Sequence, residues 1–429
     1  MKQLLRSHLG HDQSISTDSD NFSRGNSTLT TIKDLDENED NIVLPNPTAD
    51  LHPAPITVVR HVGNLITEPE TNGENDSILG HMTLWAQIQN NRNLTKFAKL
   101  VGEFEDIVGG LQAPKAQLTV YAPIDEAFDM EDFPYDLPWF YWKFLVGYHM
   151  GKGGISPLAL RSQNTVSSFV NADIFFKNQQ RISVQNSPDA VTFNFRAKML
   201  ASQPAVNGHL HIVDRLLMLP DSTADVLRYT PAFGIFRQGL IDTGLAEVIN
   251  DTSTHTAQTV FAPSDTAFRQ LGRKVNAFLF GPGGRSYLKA LLAYHIVANE
   301  TLFSDVHFPA KNGEQIVLDL QSASNQIFLP TMARGCNISA SSARQSDGSR
   351  RIILINDEWK VSRPDIVVMD GVIHGTDAVI LPPIMNAEGQ LEKQNQNWWS
   401  IVSRSLNIGG GITVEELMER LQPLIDSNE

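Results

Sequence analysis

The chain has 429 residues, of which 41% are hydrophobic, so at about 150 residues per domain it is long enough for two or three domains with buried cores. Its formal net charge of −14 at pH 7 argues against nucleic acids and anionic membrane surfaces as partners, because such binding depends on clustered lysine and arginine. The single cysteine, Cys336, excludes an intramolecular disulfide and a zinc site built on several cysteines.

The N-terminal region is polar and acidic. Residues 1–55 contain few aromatic or branched side chains to offset the entropy of ordering, so we expect them to be disordered. The alternation in residues 55–66 predicts a short first strand. The start "MKQLLRSHLGHDQSIST" lacks the apolar core of a signal peptide, no window of about 18 apolar residues predicts a membrane span, and the C-terminus does not resemble a lipid-anchor signal.

Two repeated blocks follow, each with the same landmarks in the same order. Both contain helical patterns, then "TVYAPIDEAF" (119–128) or "TVFAPSDTAF" (259–268), then a helix that ends in Tyr148-His149 or Tyr294-His295. Both end in a strand-like segment, "NGHLHIVDRLLMLP" (207–220) or "DGVIHGTDAVILPP" (370–383). The predicted domains are therefore residues 57–219 and 221–383, with a tail over 384–429.

The ten-residue phrase predicts a strand that stops at a proline and turns into a helix. Ser264 or Asp265 is the expected N-cap of the helix in the second copy. Ile124 replaces the serine in the first copy, which leaves Asp125 as the expected cap there. No second carboxylate or histidine adjoins either aspartate, so a capping role is favoured over a catalytic or ligand role.

The second block is longer than the first, and the larger insertion is expected at residues 333–350. The sequence "ARGCNISASSARQSDGSR" is interpreted there as a flexible surface loop that carries Cys336. In the tail, Thr413 and Glu416 predict a capping box. Val414, Leu417, Leu421 and Leu424 then form one apolar helix face, which predicts a helix that docks on the second block; a helix that binds a partner is the alternative.

These ordered motifs, present twice over residues 57–383, resemble the fasciclin (FAS1) domain family, and the two-domain layout resembles that of its fungal members. The resemblance implies an α+β fold, with a twisted β-wedge or sandwich flanked by helices in each domain. It also implies non-enzymatic roles in adhesion, matrix or cell surface, with a vacuolar location in some fungal members. No cofactor is expected, and the expected partner is a protein or a cell-wall glycan.

The resemblance also suggests binding residues. In some animal members, an Asp-Ile pair before the second motif and the Tyr-His region serve integrin recognition. Asp365-Ile366 occupies the Asp-Ile position in the second block, whereas the first block has Ser202-Gln203. The candidate binding residues are therefore Tyr148, His149, Tyr294, His295, Asp365 and Ile366. Because fungi lack integrins, a strand-ending role for Asp365-Ile366 stays open.

The other histidines suggest structural roles first. His211 matches His374, and Asp214 matches Asp377, but a spacing of three on a strand turns each pair to opposite faces. His209 and His211 lie two apart and face the same side, which can hold zinc if a third ligand, such as His149, approaches. Val372 replaces His209 in the second block, which favours packing over metal binding.

No nucleophile elbow, phosphate loop or dinucleotide-binding glycine motif is present, so no catalytic residues are predicted. The first hypothesis is a protein of the secretory system, vacuole or cell surface that binds through two linked domains. The alternative is an accessory protein that assists laccase-type oxidative coupling of aromatic polyketides, as some fungal FAS1 proteins do. An apolar groove near Trp139, Tyr141 and Trp142 would serve it, unless that aromatic run is a buried helix.

Glycosylation sequons favour the secretory route, since seven occur in the chain. Asn93, Asn250, Asn299 and Asn337 lie in the predicted domains and are the glycosylation candidates; Asn21, Asn26 and Asn75 precede them.

Overall fold

The computed structural model describes residues 81–130, 137–170, 179–253, 255, 257–309, 316–317, 326–333, 335–344, 351–383 and 412–426. The predicted disorder of residues 1–55 and the predicted strand at 55–66 lie outside these residues. We use domain 1 for the described residues up to 220 and domain 2 for those from 221 to 383.

Domain 1 is an α+β unit, as predicted. Its described helices are α1 (Leu84–Asn90), α2 (Thr95–Gly102), α3 (Glu105–Gln112), α4 (Asp125–Asp129), α5 (Trp139–Tyr148) and α6 (Pro157–Arg161). Its described strands are β1 (Leu118–Pro123), β2 (Met150–Lys152), β3 (Thr165–Ser167), β4 (Arg181–Asn186), β5 (Val191–Phe193), β6 (Ala197–Ala205) and β7 (Gly208–Val213). They form one sheet in the order β2-β1-β7-β6-β5-β4-β3.

Domain 2 repeats this plan and extends it. Its described helices are α7 (Thr223–Tyr229), α8 (Gly234–Thr243), α9 (Leu245–Asn250), α10 (Asp265–Gln270), α11 (Arg273–Leu279) and α12 (Arg285–Tyr294). Its described strands are β8 (Gln258–Pro263), β9 (Ile296–Ala298), β10 (Thr301–Leu302), β11 (Val306–Phe308), β12 (Ile316–Val317), β13 (Gln326–Pro330), β14 (Asn337–Arg344), β15 (Arg351–Ile355), β16 (Trp359–Val368) and β17 (Gly371–Thr376). Its main sheet has the order β13-β14-β15-β16-β17-β8-β9, and β10-β11-β12 form a second, small sheet.

Both sheets are built around a parallel pair made from the two repeated motifs. β1 pairs with β7 and β8 pairs with β17, and both pairs begin at a glycine. A Cβ on Gly208 would lie 1.8 Å from the Leu118 carbonyl oxygen, and one on Gly371 would lie 1.9 Å from that of Gln258. Only glycine fits these positions, which explains the "NG" and "DG" that open the second motif.

The surface loop predicted for residues 333–350 is wrong over its described part. Residues 337–344 form β14, which pairs with β13 on one side and β15 on the other. Ile338 and Ala340 are buried, whereas Ser339 between them is half-buried, so the strand keeps an alternating pattern in spite of its polar composition. Cys336 is a free thiol, but it is buried in the core of domain 2 and is not a surface residue.

The C-terminal helix α13 (Val414–Asp426) docks on domain 2, as predicted. The Thr413 hydroxyl caps it by accepting from the Glu416 amide at 3.1 Å. Leu417, Leu421 and Leu424 enter the domain 2 core, and the Tyr287 hydroxyl of α12 donates to Gln422 Oε1 at 2.6 Å.

Candidate functional site

The repeated ten-residue phrase forms a strand-to-helix corner in each domain. Ser264 caps its own helix, with its hydroxyl accepting from the Ala267 amide at 3.2 Å. Asp125 does not cap α4, which corrects the prediction for the first copy; its Oδ1 instead accepts from the Lys96 amide at the start of α2, at 2.7 Å. Asp265 likewise accepts from the Ile235 amide at the start of α8, at 2.7 Å. Both aspartates therefore cap a helix that comes earlier in the chain.

The Tyr-His pairs lie in the interior and bond the protein to itself. His149 Nδ1 lies 2.8 Å from the Leu145 carbonyl oxygen, and its Nε2 accepts from the Leu217 amide at 2.9 Å. His295 repeats this arrangement, with Leu291 at 2.8 Å and the Ile380 amide at 2.9 Å. Burial lowers the pKa of both histidines to about 4, so each ring is neutral, with its proton on Nδ1.

The tyrosines of these pairs are equally enclosed. The Tyr148 hydroxyl donates to the Arg181 carbonyl oxygen at 2.8 Å and accepts from Asn194 Nδ2 at 3.0 Å. The Tyr294 hydroxyl accepts from Asn356 Nδ2 at 3.0 Å. All four side chains of the two pairs are at most 1% exposed, so binding of a partner to them, which stays a prediction, requires the domain to open.

The histidines of the second motif also bond inward. His211 Nε2 lies 2.9 Å from the Ile155 carbonyl oxygen, and His374 Nε2 lies 2.6 Å from that of Leu302. Burial lowers the pKa of both rings to about 4. His209 stacks beside His211 with ring centroids 6.2 Å apart, as the strand spacing predicts. Among the described residues, no group of three histidine, cysteine or acidic side chains is placed to hold a metal ion.

Asp365 lies at the contact between the two domains. Its side chain is 2% exposed, and its oxygens accept from the backbone amide of Ser304, at 2.8 Å, and from the Ser304 hydroxyl. Ser304 Oγ in turn accepts from Asn164 Nδ2 of domain 1 at 2.7 Å. The neighbouring Ile366 is half-buried and pairs with Ile373 in the sheet. The predicted Asp-Ile site thus supports the turn of domain 2 that contacts domain 1.

A buried ion pair crosses the same contact. The Arg181 guanidinium of domain 1 is 5% exposed and lies 3.8 Å from Asp305 Oδ1 of domain 2. Asp305 also accepts from the Thr165 hydroxyl at 2.6 Å and from its amide at 3.0 Å. Burial and the nearby Asp305 carboxylate raise the pKa of Asp365 to about 7, while Arg181 opposes the shift. Sequence reasoning missed Arg181 and Asp305, since neither belongs to a recognisable motif.

The aromatic run of α5 is divided between the core and the surface. Tyr141 is 5% exposed and faces inward, so it does not line the predicted groove. Trp139 is 69% exposed, and together with the half-buried Trp142 it lines an open cavity of about 600 Å³ between α2, α3 and α5. Lys143 at its edge pairs with Asp106 of α3, with Nζ and Oδ2 2.8 Å apart.

The glycosylation candidates are accessible. The side chains of Asn93, Asn250, Asn299 and Asn337 are all exposed. Asn21, Asn26 and Asn75 lie outside the described residues. In the part of the chain that the structure describes, no helix is both long and apolar enough to cross a bilayer.

The sequence pattern of the fasciclin domain matches the chain twice, at residues 92–220 and 231–382. The chain belongs to the fasciclin (FAS1) family. The two FAS1 domains share the motifs, the parallel strand pair and the buried histidines described above. The predicted α+β architecture of two tandem FAS1 domains is confirmed.

Similar proteins come from different settings. The chain is 42% identical over 360 residues to aurofusarin biosynthesis cluster protein S of Gibberella zeae, an alignment that covers 81% of this chain and 87% of that protein. It is 33% identical over 140 residues to stabilin-2 of Rattus norvegicus, covering 29% of this chain and 10% of stabilin-2. A solved FAS1 domain pair from the insect cell adhesion molecule fasciclin I aligns with 67% of this chain and 97% of its own, at 18% identity and a TM-score of 0.36.

Proposed function

We propose that this FAS1 protein is a non-enzymatic accessory protein of fungal aromatic secondary metabolism, which assists laccase-type oxidative coupling. The observation that carries the proposal is the 42% identity to the aurofusarin cluster protein, because the alignment covers 87% of that protein and spans both FAS1 domains. The relatives with other settings align with much smaller shares of their own length, such as 10% for stabilin-2.

The non-enzymatic part of the proposal is supported by how the reactive side chains are used. The histidines of the repeated motifs, His149, His211, His295 and His374, bond to backbone groups of their own domain and are at most 1% exposed. Groups held in this way stabilise the fold and are out of reach of a substrate. The protein would therefore act by binding and presenting a compound or a partner oxidase.

The surface of α5 supports an aromatic ligand. Trp139 and Trp142 line an open cavity at the edge of domain 1, and indole rings bind flat aromatic compounds by stacking. An accessory protein that holds a phenolic radical or its precursor in one orientation restricts where two rings couple. It would change the yield or the regiochemistry of coupling without supplying the oxidant.

The test is a coupling assay with a purified laccase and a hydroxynaphthalene substrate, with and without stoichiometric protein. We expect a higher yield of dimer or a changed ratio of regioisomers. Protein unfolded by heat provides the control for nonspecific adsorption. Identical yields and identical isomer ratios in all three reactions would exclude the accessory role.

A second candidate, binding to a protein or cell-wall glycan through both domains, is favoured by the contact between the domains. The Asn164–Ser304 and Thr165–Asp305 bonds and the Arg181–Asp305 ion pair connect the two domains, so a partner would meet one combined surface. Binding of the whole chain to cell-wall preparations would be compared with that of Arg181→Ala. Loss of retention in the variant supports this candidate, whereas no retention of either protein removes it.

For location we propose the secretory system, either the vacuole or the cell exterior. The exposed asparagines of the four described sequons support this proposal. Treatment of the native protein with a peptide N-glycosidase should lower its apparent mass. An unchanged mass, together with a cytosolic signal from a tagged copy at native expression, would contradict it.

A further inference from the structure

A second cavity of domain 1 adjoins the tryptophan-lined one. It has a volume of about 390 Å³ and lies between α3 and α5, beside the start of β2. The two cavities share two lining residues, Asp106 and Lys143, and we call the smaller cavity the inner chamber, the larger one the outer shelf and both together the groove. The inner chamber is lined mainly by apolar side chains, among them Ile107, Phe144, Met150, Phe169 and Val170.

Two glycines in the walls leave the inner chamber open. Gly110 lies in α3, where glycine costs about 1 kcal/mol relative to alanine, and a Cβ placed on it would meet no atom within 4 Å. Gly147 lies in α5, and a Cβ there would meet only Val170 Cγ2, at an ordinary 3.6 Å. Packing therefore does not demand glycine at either position. The residue of domain 2 that matches Gly147 is Ala293, which is buried at 7% exposure.

Charge at the mouth of the chamber narrows the choice of ligand. The hydrogen bond from Lys143 lowers the pKa of Asp106, which is therefore a carboxylate and a hydrogen-bond acceptor at neutral pH. Glu103 and Glu105 line the outer shelf, so carboxylates outnumber the single Lys143 ammonium over the two cavities taken together. This balance disfavours fatty acids and other anions and favours a neutral donor such as a phenolic hydroxyl.

We propose that this groove binds a planar aromatic phenol, with the ring system in the inner chamber and the hydroxyl at the Asp106–Lys143 pair. The proposal rests on the proposed function and names its ligand class and its site. The chamber volume falls in the usual range for small-molecule pockets, and its aromatic and thioether lining suits a flat ring. The phenol would donate to Asp106, which lines both cavities.

The test measures binding of 2-naphthol to the whole chain by calorimetry, with two matched variants. Gly110→Leu fills the inner chamber, whereas Gly109→Leu adds the same side chain to the same helix at an exposed position that does not line it. Both substitutions replace a helical glycine and should raise helix stability, so a loss of binding is not a loss of fold. We expect at least a tenfold weaker affinity for Gly110→Leu and an unchanged affinity for Gly109→Leu.

The hydroxyl contact is tested separately. Asp106→Asn should weaken binding of 2-naphthol several-fold and leave that of 2-methoxynaphthalene, which has no donor, unchanged. No binding of 2-naphthol, equal affinity for Gly110→Leu and the wild type, or tighter binding of decanoate than of 2-naphthol would each overturn the proposal. Groove binding without any effect on laccase coupling would refute only the proposed function, and an effect on coupling that survives Gly110→Leu would refute only the groove.

Discussion

The two FAS1 domains keep the same interior and differ at their surfaces. His149 and His295 bond to equivalent backbone groups, and the parallel strand pairs have the same register. The differences between the described parts of the two domains lie in the strand before the second motif, in the face of α5 and in the small sheet β10-β11-β12 of domain 2. The shared residues therefore specify the fold, whereas the residues that differ supply the contact between domains and the groove.

The two domains have different residues, Ser202 and Asp365, in the strand before the second motif. Domain 1 has Ser202 opposite His211, whereas domain 2 places Asp365 beside His374, with the Asp365 amide donating to His374 Nδ1 at 3.2 Å. Asp365 has a positive φ of 60°, which is strained for a residue other than glycine. In this backbone conformation its carboxyl group reaches Ser304, in the turn of domain 2 that contacts domain 1. The feature that resembles an integrin site thus supports a contact within this chain.

Acid should destabilise both domains through the buried histidines that they share, and this is the largest expected effect. The pKa values of His149, His211, His295 and His374 are lowered from 6.5 to about 4 by burial. Below pH 6.5 the unfolded chain binds protons that the folded chain does not, so stability falls as the pH drops from about 6.5 to about 4. At pH 5 each histidine should cost on the order of 2 kcal/mol. Urea unfolding across this range tests it; a flat profile would contradict neutral buried rings.

Removal of Arg181 should separate the two domains. Arg181→Ala deletes the buried ion pair with Asp305 and the hydrogen bonds to Thr165 and Ser167. Because the variant loses this buried ion pair and the hydrogen bonds of the guanidinium, we expect a loss of about 3 kcal/mol and two calorimetric transitions in place of the single one expected for the wild type. Arg161→Ala, at an exposed position, is the matched control. A single unshifted transition for Arg181→Ala would show that the contact contributes nothing.

The histidines of the two Tyr-His pairs should contribute equally to the stability of their domains. His149→Ala and His295→Ala each leave a buried backbone amide, that of Leu217 or Ile380, without its acceptor. We expect each variant to lose about 2 kcal/mol of unfolding free energy. The exposed His81→Ala is the control. Losses that differ by more than twofold would mean that the packing around the two histidines is unequal in spite of their equivalent hydrogen bonds.

Asp365 should give a pH dependence of opposite sign, confined to domain 2. Its folded pKa is raised from 3.8 to about 7, so the stability that it contributes is complete below pH 3.8 and is lost as the pH rises through 7. Asp365→Asn removes the charge, so its stability relative to the wild type should increase steadily from pH 4 to pH 7. Ser202→Asn of domain 1 is the control. A constant difference between Asp365→Asn and the wild type would mean that Asp365 does not titrate there.

The smallest effect concerns a turn between two paired strands. Asn194 and Phe195 have positive φ values of 48° and 59° in domain 1, and Asn356 and Asp357 have 51° and 56° in domain 2. Aspartate tolerates this conformation better than phenylalanine, and Phe195 is 43% exposed. Phe195→Asp should therefore stabilise domain 1 by about 0.5 kcal/mol in thermal unfolding. Destabilisation would show that Phe195 packing outweighs its backbone strain.

Much of the fold could be predicted from local patterns. The strand-to-helix corner, the capped C-terminal helix and the order of landmarks follow from proline, capping residues and apolar spacing. The misses have physical causes. Ile338 and Ala340 alternate with serines in β14, but the glycines and polar residues around them favoured a loop. Asp125 caps α2 rather than its own helix because the fold brings a free helix start close to its carboxylate.

The amino-acid sequence alone determined that two homologous domains exist, because a repeated order of motifs records two copies of one folding unit. Only the tertiary structure decided which distant residues become neighbours. Arg181 pairs with Asp305, which is 124 positions further along the chain, and Gly110 of α3 and Gly147 of α5 line the same chamber. Local sequence governs backbone conformation and capping, whereas charge pairing and cavities depend on distances between segments that become neighbours only when the chain folds.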